Sequence, residues 1–300
     1  DHLDYSEDIY VGYRYFETMK KDAVRYPFGF GLSYTQFELS GAVCGEADGK
    51  ITAALNVKNI GSRAGKEVIQ LYYSAPDGKL GRPALELAAF AKTKLLKPNE
   101  SEIIALSFDV KDMAAFDDLG KVQKSAYVLE KGSYKFFLGT SVRDNKQLPF
   151  EYEVKEDTVT QQLTQLCRPF ALKKRLTSSG EYETLPTGES SYYYGKNLLN
   201  DVRTPYKEYK FSDVGEKLSV DEFVRQFKTD ELVNFVGGQP PTGVANTGCF
   251  GGLKRLGVPA VPTADGPAGL RLDPATGIPT TAWPCSTLLA SSWNPDISYK

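Results

Sequence analysis

The chain has 300 residues, 25% of them charged and 41% hydrophobic, and 36 Lys and Arg against 38 Asp and Glu leave a net charge of −2. That balance argues against a nucleic-acid partner or an anionic membrane surface, both of which want a basic patch. No apolar run approaches the ~20 residues that span a bilayer, and the length suggests two domains with cores of their own. Cys44, Cys167, Cys249 and Cys285 lie far apart, form no C-x-x-C pair, and share the chain with one histidine, His2. Neither a metal site nor a disulfide scaffold is expected. The four read as reduced thiols packed as small hydrophobes, which points to a cytoplasmic rather than a secreted setting.

From the N-terminus, residues 1–37 are dense in aromatic rings. IYVGYRYF (9–16) predicts a buried strand, and PFGFGLSY (27–34) a glycine-punctuated loop whose rings must pack on something. The piece is too short for its own core and is expected to end a domain that lies upstream.

Over 38–155 the pattern is one of strands. ITAALNVKN (51–59) alternates Ile51, Ala53, Leu55 and Val57 with polar or small residues, and ESEIIALSFDV (100–110) alternates Ile104, Leu106, Phe108 and Val110. EVIQLYYSAP, ALELAAFAKTKLL and GSYKFFLGTSV supply further strands, divided by NIGSRAG, PDGKLGRP, LKPNES and LEKGS. Period-2 alternation with regular turns predicts a β-sandwich of immunoglobulin or fibronectin type III kind.

Residues 156–217 predict a connector. TVTQQLTQLCRPFALKKRL begins in a helical manner until Pro169 interrupts it, and Tyr192, Tyr193 and Tyr194 can contact a ligand but are better suited to pinning the connector on a neighbouring domain. From 218 to 300 helical signals return. SVDE (219–222) is a capping box, and TDELVNFVGG (229–238) repeats the device with Thr229 as N-cap and glycines as the stop. GVPAV (257–261) reads as a short apolar strand, TTAWPCSTLLASSWNP (280–295) as a strand, a helix and then an Asn-Pro helix start.

Between them lies TADGPAGLR (263–271). Asp-Gly-Pro by itself is an ordinary turn in which the aspartate caps an amide. Just past a strand end, Asp265 can instead be a carboxylate offering two acceptor oxygens to paired hydroxyls. Gly266 and Gly269 permit close backbone approach, and Arg271 can hold the loop by pairing with a carboxylate.

These residues carry a resemblance. RLGVPAVPTADGPAGLR with TTAWPCSTLLASSWN resembles the opening of the catalytic barrel of glycoside hydrolase family 3. EDIYVGYRYFE and YPFGFGLSYTQFELSG resemble the close of that family's α/β sandwich domain, and VKNIGSRAGKEVIQLYYSAP with GRPALELAAFAKTKLLKPNESEIIALSF its fibronectin type III-like domain. The resemblance implies a multidomain α/β plus β fold: the tail of an α/β sandwich (1–37), a fibronectin type III-like β-sandwich (38–155), a connector (156–217) and the incomplete start of a β/α, TIM-like barrel (218–300). That order is that of the family's circularly permuted members, and the chain is expected to be a segment of a longer protein.

The resemblance further implies a retaining exo-acting β-glucosidase with a β-linked oligosaccharide or glycoside as substrate and no cofactor. Asp265 is then a sugar-binding carboxylate, and Arg271 a support of its loop or a second contact. No catalytic residue is expected in the chain. The family's Ser-Asp-Trp-like nucleophile motif is matched only superficially by FSDVGE (211–216), its Lys-His pair has no counterpart, and its acid/base glutamate belongs to the domain upstream. A β-xylosidase of the same family stays open, as does a non-catalytic fibronectin-like carbohydrate-binding or adhesion protein, which predicts exposed aromatic platforms on the sandwich.

Overall fold

The computed structural model describes residues 3–164, 172–186, 208–238, 248–266 and 268–299. The readings made at His2, Cys167, Pro169 and Tyr192–Tyr194 lie outside the described residues. The chain divides into two compact units, Asp1–Tyr192 and Tyr193–Lys300.

In the first unit, helix α1 (Tyr13–Met19) precedes strands β1 (Phe37–Ala47), β2 (Lys50–Asn59), β3 (Val68–Ser74), β4 (Glu86–Lys92) and β5 (Ser101–Asp109). Strands β6 (Ala115–Asp117), β7 (Ala126–Leu129), β8 (Gly132–Gly139) and β9 (Asn145–Val154) follow, then β10 (Thr158–Gln162), β11 (Lys174–Leu176) and β12 (Tyr182–Thr184). One sheet has the order β1-β2-β5 and a second β4-β3-β8-β9, all antiparallel. The alternation in β2 and β5 explains the pairing: Ile51 lies opposite Phe108, Ala53 opposite Leu106, and Leu55 opposite Ile104, so one face of the pair is wholly apolar. That face closes on Ile69, Leu71, Tyr134, Phe136 and Leu138 of β3 and β8. Phe136 sits between Phe108 and Phe150, its ring centroid 6.3 and 5.7 Å from theirs.

Buried polar groups are matched. Arg82 reaches the carboxylate of Glu86, the hydroxyl of Tyr73 at 2.7 Å and the carbonyl of Met113 at 2.7 Å. Asp117 accepts from the backbone N–H groups of Gly120, Lys121, Val122 and Gln123 at 2.7–3.0 Å. Burial opposes its charge, yet these four donors hold its carboxyl below the usual range.

Strand β3 is buried on both faces, Gln70 and Tyr72 as completely as Ile69 and Leu71. The cover for the second face comes from residues 1–37, and here the structure corrects the sequence. IYVGYRYF is not a strand: its start is a turn, Gly12 takes φ 55° and ψ −135°, and α1 starts at Tyr13. Tyr13 and Glu17 are one helical turn apart and share a face. Tyr13 stacks on Phe28 at 4.5 Å and meets Tyr72 edge-on, while its hydroxyl accepts from the Leu87 N–H at 2.9 Å. Buried Glu17 accepts from Arg143 at 2.8 Å. The rings of PFGFGLSY find only part of a cover, since Phe30 and Tyr34 are exposed.

A second correction falls at residue 158. The segment begins as strand β10, not as a helix, pairing Thr158 with Leu129 and Val159 with Val128 of β7 in a sheet of order β10-β7-β6. Thr-Val-Thr is β-branched and fits a ladder better than a helix. Strands β11 and β12 form a hairpin.

The second unit holds α2 (Val220–Val224), α3 (Thr229–Gly237), β13 (Cys249–Gly251), β14 (Ala260–Pro262), α4 (Ser286–Ser291) and α5 (Pro295–Tyr299). Ser219 and Glu222 form the expected capping box, with the Ser219 N–H donating to the carboxylate at 2.8 Å and the Ser219 hydroxyl accepting from the Glu222 N–H at 3.2 Å. Thr229 is the first helical residue rather than the cap; Lys228 is the cap, its N–H donating to Glu231 at 2.8 Å. Phe223, Phe227 and Leu256 make a small core. Residues 280–284 form no strand, because Pro279 and Pro284 remove ladder donors on either side. Asn294 accepts from the Asp296 N–H at 3.2 Å as the N-cap of α5.

Cysteine burial is uneven. Cys249 is buried and Cys44 half-buried, with desolvation pushing the Cys44 thiol up to about 11, but Cys285 is exposed and not packed as a small hydrophobe.

Phe136→Ala is expected to cost the first unit about 3–5 kcal/mol, while Ile103→Ala, 75% exposed on the outer face of β5, costs under about 0.5 kcal/mol. Chemical denaturation of the two variants followed by circular dichroism checks this, and equal losses would contradict the assignment of faces.

Candidate functional site

The second unit positions Asp265 through backbone contacts. Strand β14 pairs antiparallel with β13, Cys249 facing Pro262 and Gly251 facing Ala260. The pairing continues past the strand end, where the N–H and hydroxyl of Thr263 both donate to the Gly248 carbonyl, at 3.1 and 2.6 Å. Beyond it the chain closes a loop: the Arg271 N–H donates to the Asp265 carbonyl at 2.8 Å, and the Trp283 N–H to the Ala268 carbonyl at 2.9 Å. Gly269 has φ 108°, and a Cβ there would lie 2.0 Å from the Thr281 carbonyl oxygen. Only glycine fits, because the position is both left-handed and in backbone contact.

The side chain of Asp265 is placed differently from its backbone. It is 47% exposed, Arg271 is 55% exposed, and the guanidinium Nη1 stands 4.0 Å from Oδ2. Two exposed charges at that distance attract each other weakly. The structure therefore brings the two predicted residues together without using up the carboxylate. Aspartates doing turn duty in the same chain look different. Asp273 accepts from the Ala275 N–H at 2.8 Å, and Asp117 from four amides. Among the described residues no backbone N–H donates to the Asp265 carboxylate, so both oxygens remain available as acceptors. Trp283 lies exposed beside the loop, an aromatic face that the sequence reading did not single out.

The reading also missed a clamp made by the segment between β13 and β14. Arg255 forks onto Glu231, Nε to Oε1 at 2.7 Å and Nη2 to Oε2 at 2.6 Å, and its Nη1 reaches Glu208 at 2.8 Å. Hydrogen bonding from Arg255 holds the Glu231 carboxyl down to about 2, and the same bond pushes the guanidinium up. The basic turn at 254–255 was visible in the sequence, but its partner stands 24 residues upstream. Among the described residues no group of His, Cys, Asp and Glu is arranged to hold a metal ion.

Comparison with known proteins bears on this arrangement. Residues 67–142 match the fibronectin type III-like domain family. β-Glucosidase A of Butyrivibrio fibrisolvens is 45% identical over an alignment covering 100% of this chain and 42% of that protein. A β-glucosidase of Ruminococcus albus is 40% identical, covering 98% of this chain and 32% of its own length. The crystal structure of a β-glucosidase from Paenibacillus barengoltzii superposes with a TM-score of 0.80 at 39% identity, over 97% of this chain and 34% of that one. The class these likenesses define is a multidomain glycoside hydrolase, sampled over about a third to two-fifths of its length. Within that class the likeness is to the β-glucosidases, whose segments align with this chain over nearly its whole length, and the chain carries a fibronectin type III-like domain.

The Glu231 clamp has a pH signature. The carboxyl sits near 2 when folded and near about 4.3 when unfolded, so its stabilisation is complete above the unfolded value and is lost as pH falls between them. Glu231→Gln is therefore expected to destabilise the second unit by about 1.5–3 kcal/mol at neutral pH and by far less near pH 2. Thermal melts read by tryptophan fluorescence check this, since Trp283 and Trp293 both lie in that unit; a deficit that stays constant with pH would contradict it.

Proposed function

We propose that the chain is part of a retaining, exo-acting β-glucosidase that removes terminal β-D-glucosyl residues from oligosaccharides or glycosides, and that its own contribution is to bind the sugar. The observation that carries the proposal is the contrast at Asp265: a loop clamped by backbone contacts presents a carboxylate that no backbone amide among the described residues occupies. A carboxylate with two open acceptor oxygens suits vicinal hydroxyls, whereas a phosphate would be repelled. Arg271 steadies the loop at its far end, through its backbone bond to Asp265 and its loose charge pairing.

Retaining hydrolysis needs two carboxyl groups about 5–5.5 Å apart, one nucleophile and one acid/base, and neither metal nor organic cofactor. In this reading both lie outside the chain. Asp213, the aspartate of FSDVGE, supports that view: it accepts from the Lys210 N–H at 2.9 Å and pairs with Lys217, which is the work of a turn. The proposed architecture is a sandwich-domain tail over 1–37, the fibronectin-like sandwich over 38–155, a connector over 156–217 and the start of the catalytic barrel over 218–300. Alignments with two relatives that span 98–100% of the chain support a block order shared with them. The remaining domains of the parent polypeptide are the partners that complete the site. The exposed Cys285 thiol favours a reducing, cytoplasmic setting.

The isolated 300-residue chain is expected to release no phenol from an aryl β-glucoside, while the longer polypeptide turns it over. In that polypeptide Asp265→Asn lowers kcat/KM by about 10- to 150-fold, the loss of about 1.5–3 kcal/mol of charge-assisted hydrogen bonding, and Arg271→Ala costs less. Turnover by the isolated chain, unaltered kinetics in Asp265→Asn, or a preference for the aryl β-xyloside would each count against the reading.

A further inference from the structure

Strands β6 and β7 carry an aromatic pair that the core does not use. Phe116 and Tyr127 stand opposite each other in the ladder, with ring centroids 5.3 Å apart. They are 37% and 38% exposed, while Ala126 and Val128, on the other face of β7, are fully buried. Alternation thus directs both rings away from the packed interior.

Two cavities meet at Tyr127, and one of them reaches Phe116. One, of about 470 Å³, is lined by Asp8, Arg82, Glu86, Phe116, Asp118 and Arg175 among others; the second, of about 540 Å³, includes Lys111, Asp112, Thr160 and Gln161. They share Ala114 and Tyr127, so Tyr127 lines both. Each lies within the ~300–1,000 Å³ typical of small-molecule sites.

The charges decide what such a groove accepts. Arg175 is already surrounded by Asp118 at 2.9 Å, Glu183 at 2.7 Å and Asp8 at 3.5 Å. Arg82 is spent on Glu86, Tyr73 and the Met113 carbonyl, and Lys111 pairs with Asp109 at 3.4 Å. Both lining arginines are thus occupied, and among the described lining residues four carboxylates (Asp8, Glu86, Asp112, Asp118) outnumber three cations, which disfavours an anionic ligand. Burial pushes the Asp8 carboxyl up despite the nearby Arg175. Aromatic faces flanked by carboxylate, hydroxyl and amide groups suit a neutral polyhydroxylated ring, stacked on its C–H face and hydrogen-bonded at its edge.

We propose that the Phe116–Tyr127 groove of the fibronectin-like sandwich binds a neutral β-linked gluco-oligosaccharide, at a site separate from Asp265. The choice of β-glucosyl units rests on the proposed function; the groove's neutrality and its aromatic pair do not. Bound there, a substrate chain is held on the first unit without any chemistry being done to it.

Cellotetraose titrated into the full 300-residue chain, by calorimetry and by amide shifts in NMR spectra, tests this. Binding is expected to shift the amides around Phe116 and Tyr127 and to be insensitive to salt. Tyr127→Ala and Phe116→Ala should weaken it at least about tenfold, whereas Tyr127→Phe, which keeps the ring and controls for folding, should retain it. Asp265→Asn should leave this groove's affinity unchanged. Absence of binding to the wild-type chain, binding abolished by salt, or affinity preserved in Tyr127→Ala would each overturn the proposal. Binding lost in Asp265→Asn but kept in Tyr127→Ala would overturn it while leaving the Asp265 reading intact.

Discussion

Strand β3 is enclosed on both faces, and the first unit is organised around that enclosure. Toward the sandwich interior, Ile69 and Leu71 pack against the apolar stripe of β2 and β5. Toward the outside, Tyr72 and Gln70 are covered by a helix and loop from residues that precede the sandwich. A polar residue such as Gln70 can be buried there because its amide donates to the Thr140 carbonyl at 2.6 Å and its oxygen accepts from Tyr72. Removing the N-terminal cover would leave these groups facing water with their geometry already set, so the residues that precede β1 behave as part of the sandwich's packing even though they add no strand to it.

The second unit has less apolar material and relies more on polar clamps. Among the described residues its core rests on the buried side chains of Phe223, Phe227 and Leu256, and the bidentate Arg255–Glu231 pair ties α3 to the segment before β14. Such a pair fixes orientation because the planar guanidinium matches the carboxylate in only a few arrangements. The Asp265 loop inherits that fixed position through β14 and is then closed by two further backbone bonds. Function on this account comes from a rigid backbone carrying a side chain that the backbone leaves unsatisfied.

What the sequence revealed follows the range over which its signals act. The sandwich strands were legible because Ile51-Ala53-Leu55-Val57 and Ile104-Leu106-Phe108 repeat the two-residue period of a half-buried strand. The Ser219–Glu222 box was legible because both partners lie within one turn. Helix α1 was not: its aromatic run has strand-like composition, and the helical choice is made by Gly12 and by the covering contacts with Tyr72 and Arg143. Strand β10 was missed because its partner β7 is about 30 residues away. At the candidate site, Asp265, Arg271 and Gly269 were visible as a motif, whereas the Arg255 clamp, the carbonyl of Thr281 pressed against Gly269 and the Phe116–Tyr127 pair depend on tertiary contacts that spacing alone does not encode.

Asp265 differs from every structural aspartate discussed above in having its main chain fixed and its carboxylate open. A crystal structure of the longer polypeptide with glucose bound tests the resulting account most directly. The account predicts that both oxygens of Asp265 lie within about 3 Å of sugar hydroxyls while the 265–271 loop keeps its backbone bonds. A bound sugar that leaves Asp265 in contact with solvent alone, or an Asp265 turned inward to cap its own loop, would contradict it.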